Sequence, residues 1–162
     1  MNKRDEFNKI IKNIKEIKIQ GARNIAKAGL EAYSLIPSKS SKIKLLNSRP
    51  TEPMMQNVLD IAESGKFSHN ELLKHFDEAQ KKINKNVLKL IKENSIIFTH
   101  CHSTNVVNAL IYAKRNGKKF EVYNTETRPL FQGRRTAEEL RKVGIKVTMF
   151  IDSALGIALK DA

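Results

Sequence analysis

The sequence predicts an α/β fold, in which a helical N-terminal domain precedes a parallel sheet with crossover helices. Two observations carry that prediction. Short apolar runs at residues 96–98, 120–123 and 147–151 alternate with two helical patterns, and strand–helix alternation is the mark of a parallel sheet. Ahead of them, the chain shows helical periodicity alone. The first run ends in Thr99-His100-Cys101-His102-Ser103-Thr104-Asn105, and the second enters Glu126-Thr127-Arg128-Pro129-Leu130-Phe131-Gln132-Gly133. Ligands of parallel sheets bind beyond the carboxyl ends of the strands, so the chemistry is expected at these two polar segments.

Phe7, Ile10, Ile11, Ile14 and Ile17 recur at helical spacing and predict an amphipathic helix over 4–18. Ile19-Gln20-Gly21-Ala22 breaks it. A second helix carries Ala22, Ile25, Ala26, Gly29, Leu30 and Tyr33 on one face and stops before Pro37. Glycine costs about 1 kcal/mol against alanine inside a helix, so Gly29 predicts a close approach by a neighbouring helix. Residues 38–47, rich in Lys and Ser, read as a polar loop. Pro53 suits a first helical turn capped by Thr51 or Glu52. Met54, Met55, Val58, Leu59 and Ala62 supply that helix's buried side, and Gly65 ends it. Ser68 opens the longest helix, striped by Leu72, Phe76, Ala79, Ile83, Val87, Leu90 and Ile91. The expected domains are therefore 1–92, helical, and 93–162, the sheet. In the second, a crossover helix over 105–116 buries Val106, Ala109, Leu110 and Ala113, and another runs over 136–143. A short helical pattern follows Asp152. Three parallel strands leave both sheet edges to be covered, which reads as the first part of a larger domain.

Composition narrows the class. The 162 residues carry a formal net charge of +13, but the excess is spread: residues 1–92 hold 19 basic and 10 acidic side chains, and the rest 11 and 7. With no Trp and three Tyr, no stacking platform accompanies the lysines, so the charge reads as a solvated basic face and not as specific nucleic-acid recognition. No apolar run approaches the roughly 18 residues of a membrane span. The start, Met-Asn-Lys-Arg-Asp-Glu, has no apolar segment behind it, and a single Cys makes no internal disulfide. The expectation is a cytoplasmic protein.

Four segments occur in a recognisable order: Ile19-Gln20-Gly21-Ala22, Ser48-Arg49-Pro50-Thr51-Glu52-Pro53, Thr99-His100-Cys101-His102-Ser103 and Glu126-Thr127-Arg128-Pro129-Leu130-Phe131-Gln132-Gly133-Arg134. Together they resemble the superfamily that joins the alpha, beta and delta subunits of translation initiation factor 2B with two sugar-phosphate isomerases. Those isomerases act on ribose-1,5-bisphosphate and methylthioribose-1-phosphate, and the archaeal ribose-1,5-bisphosphate branch is the most similar. The resemblance implies a helical domain followed by a Rossmann-like sheet, here incomplete, with a sugar-phosphate site between them. It implies aldose–ketose isomerisation by a cysteine and an aspartate, with no cofactor. The cysteine matches Cys101. The aspartate lies in a Gly-Ala-Asp motif that follows the family's counterpart of Asp152-Ser153-Ala154, and this sequence does not contain it. The family's Asn-Lys pair is missing too. Gln20 stands where the isomerases typically place Arg, which removes a charge from a phosphate contact.

Each candidate has a plain alternative. Cys101 sits where a strand meets a helix start, a place that favours the thiolate; a lone cysteine is otherwise a small buried hydrophobe. His100 and His102 flank it, but neighbouring strand residues point to opposite faces, and no second ligand pair has zinc spacing, so no metal is expected. Ser103 either holds a phosphate at a helix start or simply caps the helix. Arg128, Gln132 and Gly133 form a second polar turn suited to phosphate, in which Gly133 permits close backbone approach. Arg134 and Arg135 could share that role or be solvated. Gly21, Ala22 and Arg49 are the candidate contacts from the helical domain. Asp152 binds a ligand or caps the last helix. The expected partners are a sugar phosphate and either a second copy of the chain or a separately encoded C-terminal half. In a non-catalytic alternative, the chain is an initiation-factor-2B-like subunit linked to initiation factor 2 that binds protein, or a regulatory sugar phosphate or nucleotide.

Overall fold

A computed structural model describes residues 2–160 and 162. The chain forms two compact units, residues 1–78 and 79–162. The first contains α1 (Lys3–Lys15), α2 (Ala22–Leu35), α3 (Lys39–Leu46), α4 (Pro53–Glu63) and the start of α5 (His69–Leu90). Its core is Phe7, Ile14, Ile25, Leu30, Leu45, Met55, Leu59 and Leu72. Gly29 sits where α2 meets α4: a Cβ there would lie 2.9 Å from Cγ and Sδ of Met55. Glu52 caps α4 by accepting from the Met54 N–H at 3.3 Å. Ser68 and Glu71 cap α5 reciprocally, the Ser68 N–H donating to Glu71 Oε2 at 2.7 Å and the Glu71 N–H to Ser68 Oγ at 3.3 Å.

Residues 38–47 are not a loop. Eight of them form α3, capped by Ser38 Oγ, which accepts from the Ser41 N–H at 3.1 Å. Leu45 is fully buried and anchors it. A helix of eight residues is shorter than the window over which a 3.6-residue period can be read, so composition alone misreads it.

The second unit is a three-stranded parallel sheet in the order β1 (Ser95–Thr99), β2 (Phe120–Thr125), β3 (Lys146–Phe150). Ile97, Val122 and Val147 stand in register across it. They join Val107 and Leu110 of α6 (Thr104–Arg115), Leu140 of α7 (Gln132–Arg141), Val87 and Leu88 of α5, and Ile91 just after it in one apolar cluster. By its packing, therefore, α5 serves both units, although the sequence changes character only at residues 92 and 93. A 3₁₀ turn, Asp152–Ala154, and α8 (Leu155–Ala158) follow β3.

Two core assignments shift. Leu90 is 76% exposed, at the last turn of α5, where the apolar stripe has run past its partner. Val107, at 1% exposure, replaces Val106 at 39%; two adjacent valines leave the helical phase open until packing chooses. The second crossover helix also begins earlier than its periodicity predicts, at Gln132.

Leu45→Ala should lower stability by about 2–5 kcal/mol, and Ser38→Ala by about 1 kcal/mol. Urea denaturation of the chain checks both; near-neutral values would return 38–47 to a loop.

Candidate functional site

The carboxyl ends of the strands carry the polar segments, and hydrogen bonds tie them together. After β1 the backbone turns at Cys101, which has φ 62°. The half-buried Cys101 donates its N–H to Thr127 Oγ1 at 3.0 Å. Its carbonyl accepts from Thr136 Oγ1, on α7, at 2.9 Å.

That second bond decides a tautomer. The single hydroxyl proton of Thr136 is spent on Cys101, so His102 Nδ1, 3.1 Å from Thr136 Oγ1, must be the donor. His102 Nε2 is then a bare acceptor, buried and without a protein partner among the described residues. Burial pushes the His102 pKa below its ordinary value, the nearby Arg135 adds to the shift, and Glu139 opposes it. The ring is neutral at pH 7. His100 Nδ1 contacts Thr125 Oγ1 at 2.5 Å.

The loop after β2 is fixed from beneath. Thr127 has φ 62°, an uncommon conformation for a β-branched residue. Its N–H donates to Asp152 Oδ1 at 2.8 Å, and the Arg128 N–H donates to Asp152 Oδ2 at 2.7 Å. The Arg128 and Thr127 amides hold the Asp152 carboxyl below its ordinary pKa. Glu126 is buried. It accepts from Arg128 Nε at 3.0 Å and from Arg134 Nη2 at 3.5 Å. Both guanidinium carbons lie near the Phe131 ring, 5.3 and 3.9 Å from its centroid. One buried carboxylate thus orients two largely exposed arginines, leaving net positive charge and free donors toward solvent.

Gly133 lies in the first turn of α7. A Cβ there would fall 1.7 Å from the Thr125 carbonyl oxygen, so the close approach its sequence position predicts is to the end of β2. Its N–H donates to the Glu126 carbonyl at 3.2 Å, and its carbonyl accepts from Asn124 Nδ2 at 2.7 Å. Gln132, half-buried, opens α7. Ser103 is the cap of α6, its Oγ 3.5 Å from the Val106 N–H.

Cys101, Ser103, Arg128, Gln132 and Gly133 therefore occupy the strand-end segments of the second unit. Gly21, Ala22 and Arg49 belong to the first. Gly21 has φ 84° and precedes α2, which Ala22 opens. Gln20 Nε2 donates to the Ile17 carbonyl at 2.9 Å. Arg49 is half-buried in the turn after α3. Sequence reasoning passed over Thr127, Thr136 and Glu126 as site residues. Thr136 had one signal, a threonine in a helix otherwise dominated by charge.

Comparison with known proteins bears on this arrangement. The profile of the Initiation factor 2 subunit family matches residues 39–162. The ribose 1,5-bisphosphate isomerase of Archaeoglobus fulgidus is 30% identical, over 93% of this chain and 56% of its own length. A Pyrococcus furiosus protein described as translation initiation factor eIF-2B subunit 2-like is 32% identical, over 95% and 62%. The chain thus spans little more than half the length of these relatives. The crystal structure of Pyrococcus horikoshii translation initiation factor eIF-2B superposes with a TM-score of 0.80 at 24% identity, covering 93% of this chain and 61% of that one. The 5-methylthioribose 1-phosphate isomerase of Pyrococcus horikoshii gives 0.73 at 20% identity, covering 95% and 54%. At those identities the structural likeness establishes the fold.

Gly133→Ala should cost about 3 kcal/mol or more, at the severe end of overpacking, because the obstructing atom is backbone; chemical denaturation measures it. The His102 imidazole should titrate with a midpoint below about 6.5, its proton on Nδ1, by nitrogen-detected NMR. The sign follows: the unfolded state takes up this proton first as pH falls, so stability drops as pH decreases below about 6.5. A His102→Gln variant should lose that part of the slope.

Proposed function

The chain belongs to the Initiation factor 2 subunit family, and we propose that it carries the cysteine half of a ribose-1,5-bisphosphate isomerase-like site. Aldose–ketose isomerisation moves hydrogen between adjacent carbons without net oxidation, so it needs one group to take a proton and another to return one. In this reading Cys101 acts in proton transfer, while Ser103 and Arg128 hold phosphate and Gln132 and Gly133 line the turn. The second acid–base group, an aspartate in the isomerases this chain resembles, lies outside these 162 residues in this reading. No cofactor is required. The single observation that carries the reading is the hydrogen-bonded union of the Cys101 turn with the loop that presents Arg128. It is supported by the Archaeoglobus fulgidus relative, which is itself a ribose 1,5-bisphosphate isomerase. This reading places it in the cytoplasm; among the described residues no helix is long and apolar enough to cross a membrane.

One observation favours a second reading. Gln20, in place of a phosphate-binding guanidinium, spends its amide on the Ile17 carbonyl. A non-catalytic subunit, binding protein or a regulatory sugar phosphate or nucleotide, would tolerate that change.

Calorimetry with ribose 1,5-bisphosphate separates the two, followed by a turnover assay with the candidate C-terminal half added. Arg128→Ala should weaken binding about tenfold or more, the worth of a charge-assisted bond. Cys101→Ser should keep binding and abolish turnover, since a serine hydroxyl is far too weak an acid for the same role. Equal turnover by the Cys101→Ser variant would sink the isomerase reading, and binding without any turnover would favour the regulatory one.

A further inference from the structure

Asp152 stands 51 residues beyond Cys101 in the chain, at the end of a different strand. Its position suggests a cap for the 3₁₀ turn and α8, yet neither element has a side-chain cap. Both carboxylate oxygens are instead spent on consecutive backbone amides, those of Thr127 and Arg128. Thr127 is thereby held at φ 62°, which a β-branched residue does not adopt unless its surroundings impose it. Held there, Thr127 points Oγ1 at the Cys101 N–H, 3.0 Å away, and Cys101 is itself at φ 62°. The two left-handed residues, on different strand ends, thus share one hydrogen bond whose acceptor is fixed by Asp152.

We infer that Asp152 is a positioning residue for Cys101, acting through Thr127. The carboxylate sets the Thr127 turn, the Thr127 hydroxyl sets the Cys101 turn, and the Thr136 hydroxyl fastens the far side of the Cys101 peptide. The Arg128 N–H donates to the same carboxylate, so Asp152 also ties the backbone that bears this arginine to the Cys101 turn. The inference rests on the isomerase reading only for the task it gives the thiol.

Cys101 is the single cysteine, so its alkylation by iodoacetamide under native conditions reports this turn alone, on the full chain and without any sugar phosphate. Thr127→Val removes the acceptor at nearly constant shape and should speed alkylation about three- to tenfold, the equivalent of one hydrogen bond. Asp152→Asn, which has one acceptor for two amides, should do the same. Thr127→Ser keeps the hydroxyl and should react at the wild-type rate, with melting temperatures measured for both variants to show that alkylation is of the folded chain. Alkylation of Thr127→Val at the wild-type rate would overturn the inference, as would Thr127→Ser reacting like Thr127→Val. If Asp152→Asn does not fold, the two Thr127 variants decide. Since no turnover is measured, the inference can fail while the isomerase reading stands, and the reverse.

Discussion

Gly133 packs so tightly on the end of β2 that a methyl group there would meet the Thr125 carbonyl oxygen at 1.7 Å. This contact constrains the segments at the strand ends. With α7 pressed against the end of β2, the intervening loop must leave the strand and return within a few residues. It does so through two left-handed non-glycine positions, Thr127 and Phe131. The contact also brings Thr136 to the Cys101 carbonyl and lets Asn124, wholly buried, reach the Gly133 carbonyl. These two bonds join residues 35 and 9 positions apart.

Charge is arranged on the same principle of one buried acceptor organising several donors. Glu126 is buried, and its two oxygens divide two arginines whose guanidiniums lie over Phe131. Asp152 accepts from two amides. The two amides hold the Asp152 carboxyl below its ordinary range, because N–H donors favour the ionised form. His102 complements the two carboxylates by staying neutral, which keeps a second cation away from the thiol's turn. The outward face of the loop is left to arginine, whose planar fork suits phosphate oxygens.

The sheet sets a different constraint. β1 and β3 are both edge strands, and Met149 and Ile151 are exposed on and just after β3. Open strand edges with apolar side chains pair readily with other chains.

Local chemistry was legible directly. Pro53 behind Thr51 or Glu52, Ser68 at the start of α5 and Gly65 after α4 marked element ends, because capping is an affair of three or four residues. The alternation of strand and helix placed Cys101 and Arg128 at the carboxyl edge, where parallel sheets bind ligands. What the sequence could not decide lay beyond that range. The α3 helix is too short to show a period, and the phase at Val106 and Val107 was settled by packing. The bonds from Asp152 to Thr127, from Thr127 to Cys101 and from Thr136 to Cys101 join residues 25, 26 and 35 apart. Periodicity carries no trace of such pairs. They exist because three strand ends converge in space, so residue types and local backbone were written in the chain, while the hold on the Cys101 backbone was decided by tertiary structure.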